Sequence, residues 1–218
     1  MTGTLVAVAH GTRSAAGQAQ IRELVGRVAL RLPGVDVRLA YVDVQQPYVG
    51  DAVPRPGAVI VPLLLSTGYH VRVDIAEAAA RTGAVVTAPL GPDPALVHSL
   101  RAGIAAGGSD AVVLAAAGSS DPGWRADVDR IAGQLGATVA YTSGAERRVP
   151  EVVAGLRDRG ARRVTVAAYL LAEGLFYRSL HRAGADAVTP PLCAGPAVED
   201  IVVARYLSTD LTTVPERL

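Results

Sequence analysis

The chain repeats itself, and that repeat limits its folds more than any other feature. Val112-Val-Leu-Ala-Ala-Ala-Gly118-Ser-Ser-Asp-Pro follows the pattern of Val6-Ala-Val-Ala-His10-Gly11-Thr-Arg-Ser. Leu170-Leu-Ala-Glu-Gly174 follows Leu64-Leu-Ser-Thr-Gly68, and Thr189-Pro-Pro-Leu192 follows Thr87-Ala-Pro-Leu90. Three ordered matches at a nearly constant separation of about 105 residues indicate an internal duplication. The Gly/Ser-containing run Ala105-Ala-Gly-Gly-Ser-Asp110 reads as the break between copies, giving lobes 1–108 and 109–218.

Within the first copy, short apolar runs alternate with helical patterns. Strands are expected at Leu5–Ala9, Val35–Val42, Ala58–Leu65 and Val85–Ala88, and helices at Ala15–Leu32, Gln46–Val53, Tyr69–Arg81 and Asp93–Ala106. Continuous rather than alternating apolar strands belong to parallel sheets covered on both faces. The expected fold class is therefore α/β: two similar flavodoxin-like lobes, each a mainly parallel sheet with helices on both faces.

Composition removes several function classes. The net charge of +1 gives no case for binding nucleic acid. No apolar stretch reaches the roughly 18–20 residues needed to span a bilayer, and the N-terminus lacks a signal-peptide layout. The single cysteine, Cys193, excludes an intrachain disulfide and single-chain thiolate metal clusters, and favours a cytoplasmic location. All 21 basic residues are arginine, so neither a Schiff-base lysine nor a P-loop lysine is available. A Gly-x-Gly-x-x-Gly fingerprint is also missing, which argues against a dinucleotide site.

Chemistry concentrates at the carboxyl ends of the first copy's strands, where open α/β sheets bind ligands. His10 ends the first strand and is followed by Gly11-Thr12-Arg13. Asp43 ends the second, within Tyr-Val-Asp-Val-Gln-Gln-Pro47. His70 follows the third, after Ser66-Thr67-Gly68-Tyr69. Two imidazoles there can hold a divalent metal, move protons, or both. A neighbouring carboxylate can raise their basicity or relay protons, although an aspartate at such a turn also serves as a simple cap. The second copy has Ala117 at the place of His10 and Phe176 at the place of His70, so the fold does not need these histidines. His98 and His181 read as surface or packing residues. Asp121 or Ser120 reads as a helix N-cap, and the arginines at 147, 148, 157, 159, 162 and 163 could bind anions, although solvated helix faces explain them as well.

These motifs resemble the class II tetrapyrrole chelatases, the sirohydrochlorin cobaltochelatases and ferrochelatases. The matching segments are His10-Gly-Thr-Arg13, Asp43 in its Tyr-Val-Asp-Val-Gln-Gln-Pro context, and Pro62-Leu-Leu-Leu-Ser-Thr-Gly-Tyr-His70-Val-Arg-Val-Asp-Ile75. The likeness covers the full length, because the long form of that family is two such lobes, the duplicate often without histidines. Departures are Thr12 where serine is usual, Asp43 where glutamate is common, Tyr69 inserted before His70, and Ala76 where proline is frequent.

The resemblance implies insertion of Co²⁺ or Fe²⁺ into sirohydrochlorin, in cobalamin or sirohaem biosynthesis; the same ligand set also suits Ni²⁺. It implies His10 and His70 as metal ligands and proton acceptors, assisted by Asp43. It implies substrate contacts from Gly11, Thr12, Arg13, Ser66, Thr67, Gly68, Tyr69 and Arg72, the arginines facing the eight carboxylates of the substrate. The metal is then a substrate, no cofactor is permanently bound, and the two-lobe chain is expected to act as a monomer. A non-catalytic metal or tetrapyrrole carrier would use the same residues. A histidine phosphatase would need arginine where Ala9 stands.

Overall fold

The structure is a computed structural model that describes residues 3–54, 57–66 and 71–209. Two four-stranded sheets, parallel throughout, form the centres of two compact units.

In the first unit β1 (Thr4–Ala9) pairs on one side with β2 (Asp36–Tyr41) and on the other with β3 (Ala58–Pro62), which pairs with β4 (Val85–Val86). The order β2-β1-β3-β4 reverses direction at β1, which makes the carboxyl end of β1 a topological switch point. Leu5 to Ala9 are all buried because both faces of this central strand are covered.

One face packs Val6, Val8, Ala40 and Ile60 under Val49 of the short helix α2 (Val49–Ala52) and under Ile75 and Ala78. Ile75 ends a π-helical turn, Val71–Ile75, and Ala78 lies in α3 (Ala76–Thr82). Together these form the described part of the helix expected over Tyr69–Arg81. Against β2 lies α1 (Ala15–Arg31), whose buried Ile21, Leu24, Val25 and Val28 make one stripe at helical spacing. Ser14 caps it by accepting from the Gly17 N–H at 3.4 Å, and Pro33 follows its end.

The second unit repeats the plan. Its sheet, in the order β6-β5-β7-β8, consists of β5 (Ala111–Ala116), β6 (Thr138–Tyr141), β7 (Val164–Tyr169) and β8 (Ala187–Val188). α5 (Pro122–Leu135) occupies the place of α1, with Asp121 as its cap. α6 (Val149–Asp158) and α7 (Leu175–Leu180) cover the other face through Val149, Val153, Tyr177 and Leu180.

The compact units do not follow the two sequence copies at their ends. Residues Met1–Gly91 cluster with Val198–Leu218, and Pro92–Ala197 form the other unit. Helix α4 (Pro94–Gly107) ends the first sequence copy but packs on β7 and α5 of the second unit. Helix α8 (Pro196–Leu207) ends the second copy but belongs, from Val198 on, to the first unit. There Glu199 accepts from Arg27 of α1 at 3.1 Å and from Arg31 at 3.2 Å, and Asp200 pairs with Arg31. The run 105–110 is thus the C-cap of α4, closed by Gly108 in left-handed conformation, and lies inside one unit.

One buried polar group stands out in the second sheet. Thr165 on β7 is almost fully buried, and its hydroxyl has no hydrogen-bond partner among the described residues. A desolvated, unpaired hydroxyl costs stability that an isosteric methyl does not. Thr165→Val is expected to leave stability unchanged or raise it by about 1 kcal/mol. Urea unfolding checks this as a midpoint shift at constant slope. Among the described residues no helix is long and apolar enough to cross a membrane.

Candidate active site

The switch point is built by three strand ends. β1 stops at Ala9, and His10 follows it, exposed. The backbone pairing of β1 with β2 continues past both strands: the Val42 N–H donates to the Ala9 carbonyl and the Asp43 N–H to the His10 carbonyl, each at 3.0 Å. His10 and Asp43 are therefore neighbours on adjacent parallel strands, whose usual spacing is about 4.8 Å. Both side chains are on exposed residues.

Gly11 makes this approach possible. Its φ is +100°, and a Cβ there would run into the Asp43 carbonyl oxygen and lie 3.2 Å from the Cβ of Val44. Only glycine fits a turn that is both left-handed and this close to a neighbouring backbone.

Thr12 ties the turn down from three directions. Its N–H donates to the side-chain oxygen of Gln45 at 2.9 Å, its carbonyl accepts from the Gln18 amide at 2.8 Å, and its hydroxyl accepts from the Ser14 N–H at 3.1 Å. Sequence reasoning missed Gln18 and Gln45, which position the loop. Amides on a helix face and in a turn carry no signal of their own there. Arg13 is exposed beside this network.

Asp43 accepts, through Oδ1, from the N–H of Val44 at 2.7 Å, and its carbonyl accepts from Gln45 N–H at 2.7 Å. β3 ends opposite Val8, with the Leu63 N–H on the Val8 carbonyl at 2.7 Å, and Ser66 follows in a half-buried bend. Thr67, Gly68, Tyr69 and His70 lie outside the described residues. Arg72 sits in the π-helical turn, and its side chain is likewise outside the description. Among the described residues, no three His, Cys, Asp or Glu side chains converge as a metal site. The described part of the candidate set is His10 with Asp43.

The second unit builds the same scaffold without the histidine and the aspartate. The Thr142 N–H donates to Ala116 at 2.9 Å and the Ser143 N–H to Ala117 at 3.0 Å. Gly118 has φ +105°, and Ser119 accepts from the Asp121 N–H at 3.1 Å as Thr12 does from Ser14. Arg125 takes the part of Gln18, donating to the Ser119 carbonyl at 2.8 Å. Ala117 and Ser143 thus occupy the positions of His10 and Asp43. Ala117 is partly buried against its core, whereas His10 is exposed.

The other histidines and the Arg157 cluster lie away from the switch point in sequence. His98 is exposed on α4, and His181 follows α7 with its ring edge-on to Tyr177 at 5.2 Å. Arg157 donates to the carbonyls of Arg162 and Gly184 and pairs with Asp186 at 2.7 Å, which ties a loop rather than a ligand.

Known proteins share this architecture. SirB from Bacillus subtilis with Fe³⁺ superposes with a TM-score of 0.78 at 22% identity, covering 95% of each chain. The sirohydrochlorin chelatase SirB from Bacillus subtilis subspecies spizizenii, in complex with cobalt, gives 0.74 at 21% identity over 94% of each chain. CbiX, described as the terminal enzyme for biosynthesis of siroheme in denitrifying bacteria, gives 0.70 at 21% identity over 94% of this chain and 99% of its own. At these identities the likeness establishes a common fold. No curated protein matches the sequence. A protein-family model, CbiX, matches residues 4–106 and again residues 111–210, so both copies of the repeat are accounted for. The chain belongs to the CbiX family.

Proposed function

We propose that the protein is a sirohydrochlorin chelatase, a lyase in the reverse sense that inserts a divalent metal into the macrocycle with release of two protons. The observation that carries this reading is the asymmetry of the repeat. One unit places an exposed His10, backbone-bonded to Asp43, at its switch point, while the other builds the same turn around Ala117 and Ser143. Membership of the CbiX family supports it, as do similar folds described with iron and with cobalt.

Insertion needs a metal held loosely enough to be handed over and a base for two pyrrole N–H protons. His10 and His70 fill both roles, ligating through an imidazole nitrogen and, once the metal has passed on, accepting protons. Asp43, exposed beside His10, assists by passing protons to solvent. Nitrogen and oxygen ligands without thiolate suit an ion in transit better than a closed structural site does. Arg13 and Arg72 are assigned to the carboxylates of the substrate, and Gly11, Thr12, Ser66, Thr67, Gly68 and Tyr69 to the surrounding contacts. Such donors bind Co²⁺ more tightly than Fe²⁺ and Ni²⁺ more tightly still, so the physiological metal follows supply as well as ligand type. The protein acts as a cytoplasmic monomer, with neither nucleic acid nor membrane as partner and with no permanently bound cofactor.

The test is metal insertion by purified protein, followed by the change in tetrapyrrole absorption with Co²⁺, Fe²⁺ and Ni²⁺ supplied separately. Acceleration over the protein-free reaction is expected with at least Co²⁺ or Fe²⁺. Tight tetrapyrrole binding with no acceleration for any of the three metals would make the protein a carrier instead.

A further inference from the structure

The second unit is an internal control for the loop that carries Asp43. Tyr41 bridges to Tyr48 and Tyr141 to Arg148, so the two loops are equally long and Val44 corresponds to Gly144. Both residues are left-handed, Gly144 with φ +88° and Val44 with φ +65°. For glycine this conformation is free of steric cost; for a β-branched residue it is a real outlier. The Asp43 carbonyl also accepts from the Gln45 N–H across Val44 at 2.7 Å, the bonding of a γ-turn with positive φ, which is the rare and strained form.

Core packing does not explain the valine. Val44 is 42% exposed, and so is Tyr48 in the same loop. The Cβ of Val44 lies over Gly11, the residue after His10, close enough that a Cβ on Gly11 would sit 3.2 Å from it. An apolar side chain is therefore held against its backbone preference, facing solvent, over the turn of the proposed metal-binding histidine. The equivalent position, next to Ser143 and facing the Ala117–Gly118 turn, is glycine; the one left-handed non-glycine residue described in that loop, Arg147 at φ +49°, is not β-branched. Strain of this kind persists where a site requires it.

We infer that Val44 is a substrate-positioning residue whose side chain rests against the apolar face of the tetrapyrrole macrocycle. This rests on the chelatase reading, which supplies the ligand: a flat, apolar ring with a carboxylate rim. Val44 then sets affinity for the tetrapyrrole and leaves affinity for the metal untouched.

The test compares Val44→Gly, Val44→Asn, Val44→Ala and Val44→Ile in the full chain. Glycine and asparagine tolerate positive φ, so V44G and V44N are expected to melt at or about 2–4 °C above wild type. Without the apolar contact, KM and the metal-free Kd for sirohydrochlorin are expected to rise about 5- to 20-fold. Binding of Co²⁺ alone is expected to stay at the wild-type value, with kcat changed by less than about twofold. V44I, equally β-branched, should keep wild-type melting and KM, with V44A falling between.

An unchanged tetrapyrrole Kd in V44G and V44N overturns the inference. So does a lower melting temperature in V44G, or a Kd in V44I as weak as in V44G. The Kd needs no turnover, so it still reports on Val44 if the protein proves to be a carrier. Failure of the wild type to insert metal would sink the chelatase reading by itself.

Discussion

Replacing His10 with alanine is expected to lower the rate of metal insertion by about 10²- to 10⁴-fold, the usual contribution of a positioned acid–base group. It would remove a metal donor and a proton acceptor in one step. The fold should accept the change, because Ala117 stands at the equivalent position of the second unit with the same backbone bond from the neighbouring strand. His10 is exposed, so the melting temperature of the variant should lie close to that of wild type. Steady-state insertion with Co²⁺, together with thermal unfolding of the same preparation, is the measurement. A rate within threefold of wild type in a folded variant would remove His10 from the mechanism.

Gly11→Ala is expected to damage both stability and activity. The new methyl would meet the Asp43 carbonyl in a conformation that alanine itself disfavours. Combining overpacking with left-handed strain, the cost is about 3 kcal/mol. For a chain of this size that lowers the melting temperature by about 6–12 °C. Relief would come from pushing the 43–45 turn away from His10, and a misplacement of about 1 Å in such a site costs on the order of 10²-fold in rate.

Gly118→Ala separates the two effects. Its Cβ would lie 2.9 Å from the Ser143 carbonyl oxygen at φ +105°, so a similar loss of stability is expected. Because Ala117 and Ser143 lack the imidazole and the carboxylate, insertion per folded molecule should be retained. Equal loss of activity in both variants, at matched stability, would show that Gly11 acts through global folding rather than through the His10–Asp43 approach.

The parallel sheets were legible because Leu5–Ala9 and Ala111–Ala116 are nearly unbroken apolar runs, which only a strand covered on both faces can use. The backbone approach of residue 10 to residue 43 was legible because each lies just past the end of one of two adjacent strands, β1 and β2. The seat of α4 was not. Its buried face, Leu96, Val97 and Leu100, is apolar at helical spacing and would suit either sheet. Sequence proximity favoured its own copy, whereas packing on β7 prevailed. Gln18 and Gln45 were invisible for a different reason: their role depends on a backbone N–H and carbonyl of Thr12 that only the folded turn brings within reach. Val44 carries no sequence signal either, since a backbone angle is needed to see that valine is out of place there.

The lending of terminal helices between the two copies has a consequence for ancestry. A protein made of the first copy alone would end with α4 and lack α8, leaving Arg27 and Arg31 of α1 without Glu199 and Asp200. Two such molecules could complete one another only by exchanging their last helices, as in a domain-swapped pair. Fusing the genes of such a pair end to end turns that exchange from a concentration-dependent encounter into an intramolecular one. Once tethered, the copies no longer need to be identical. Alanine at 117 and serine at 143, where the first copy has histidine and aspartate, are differences of that kind.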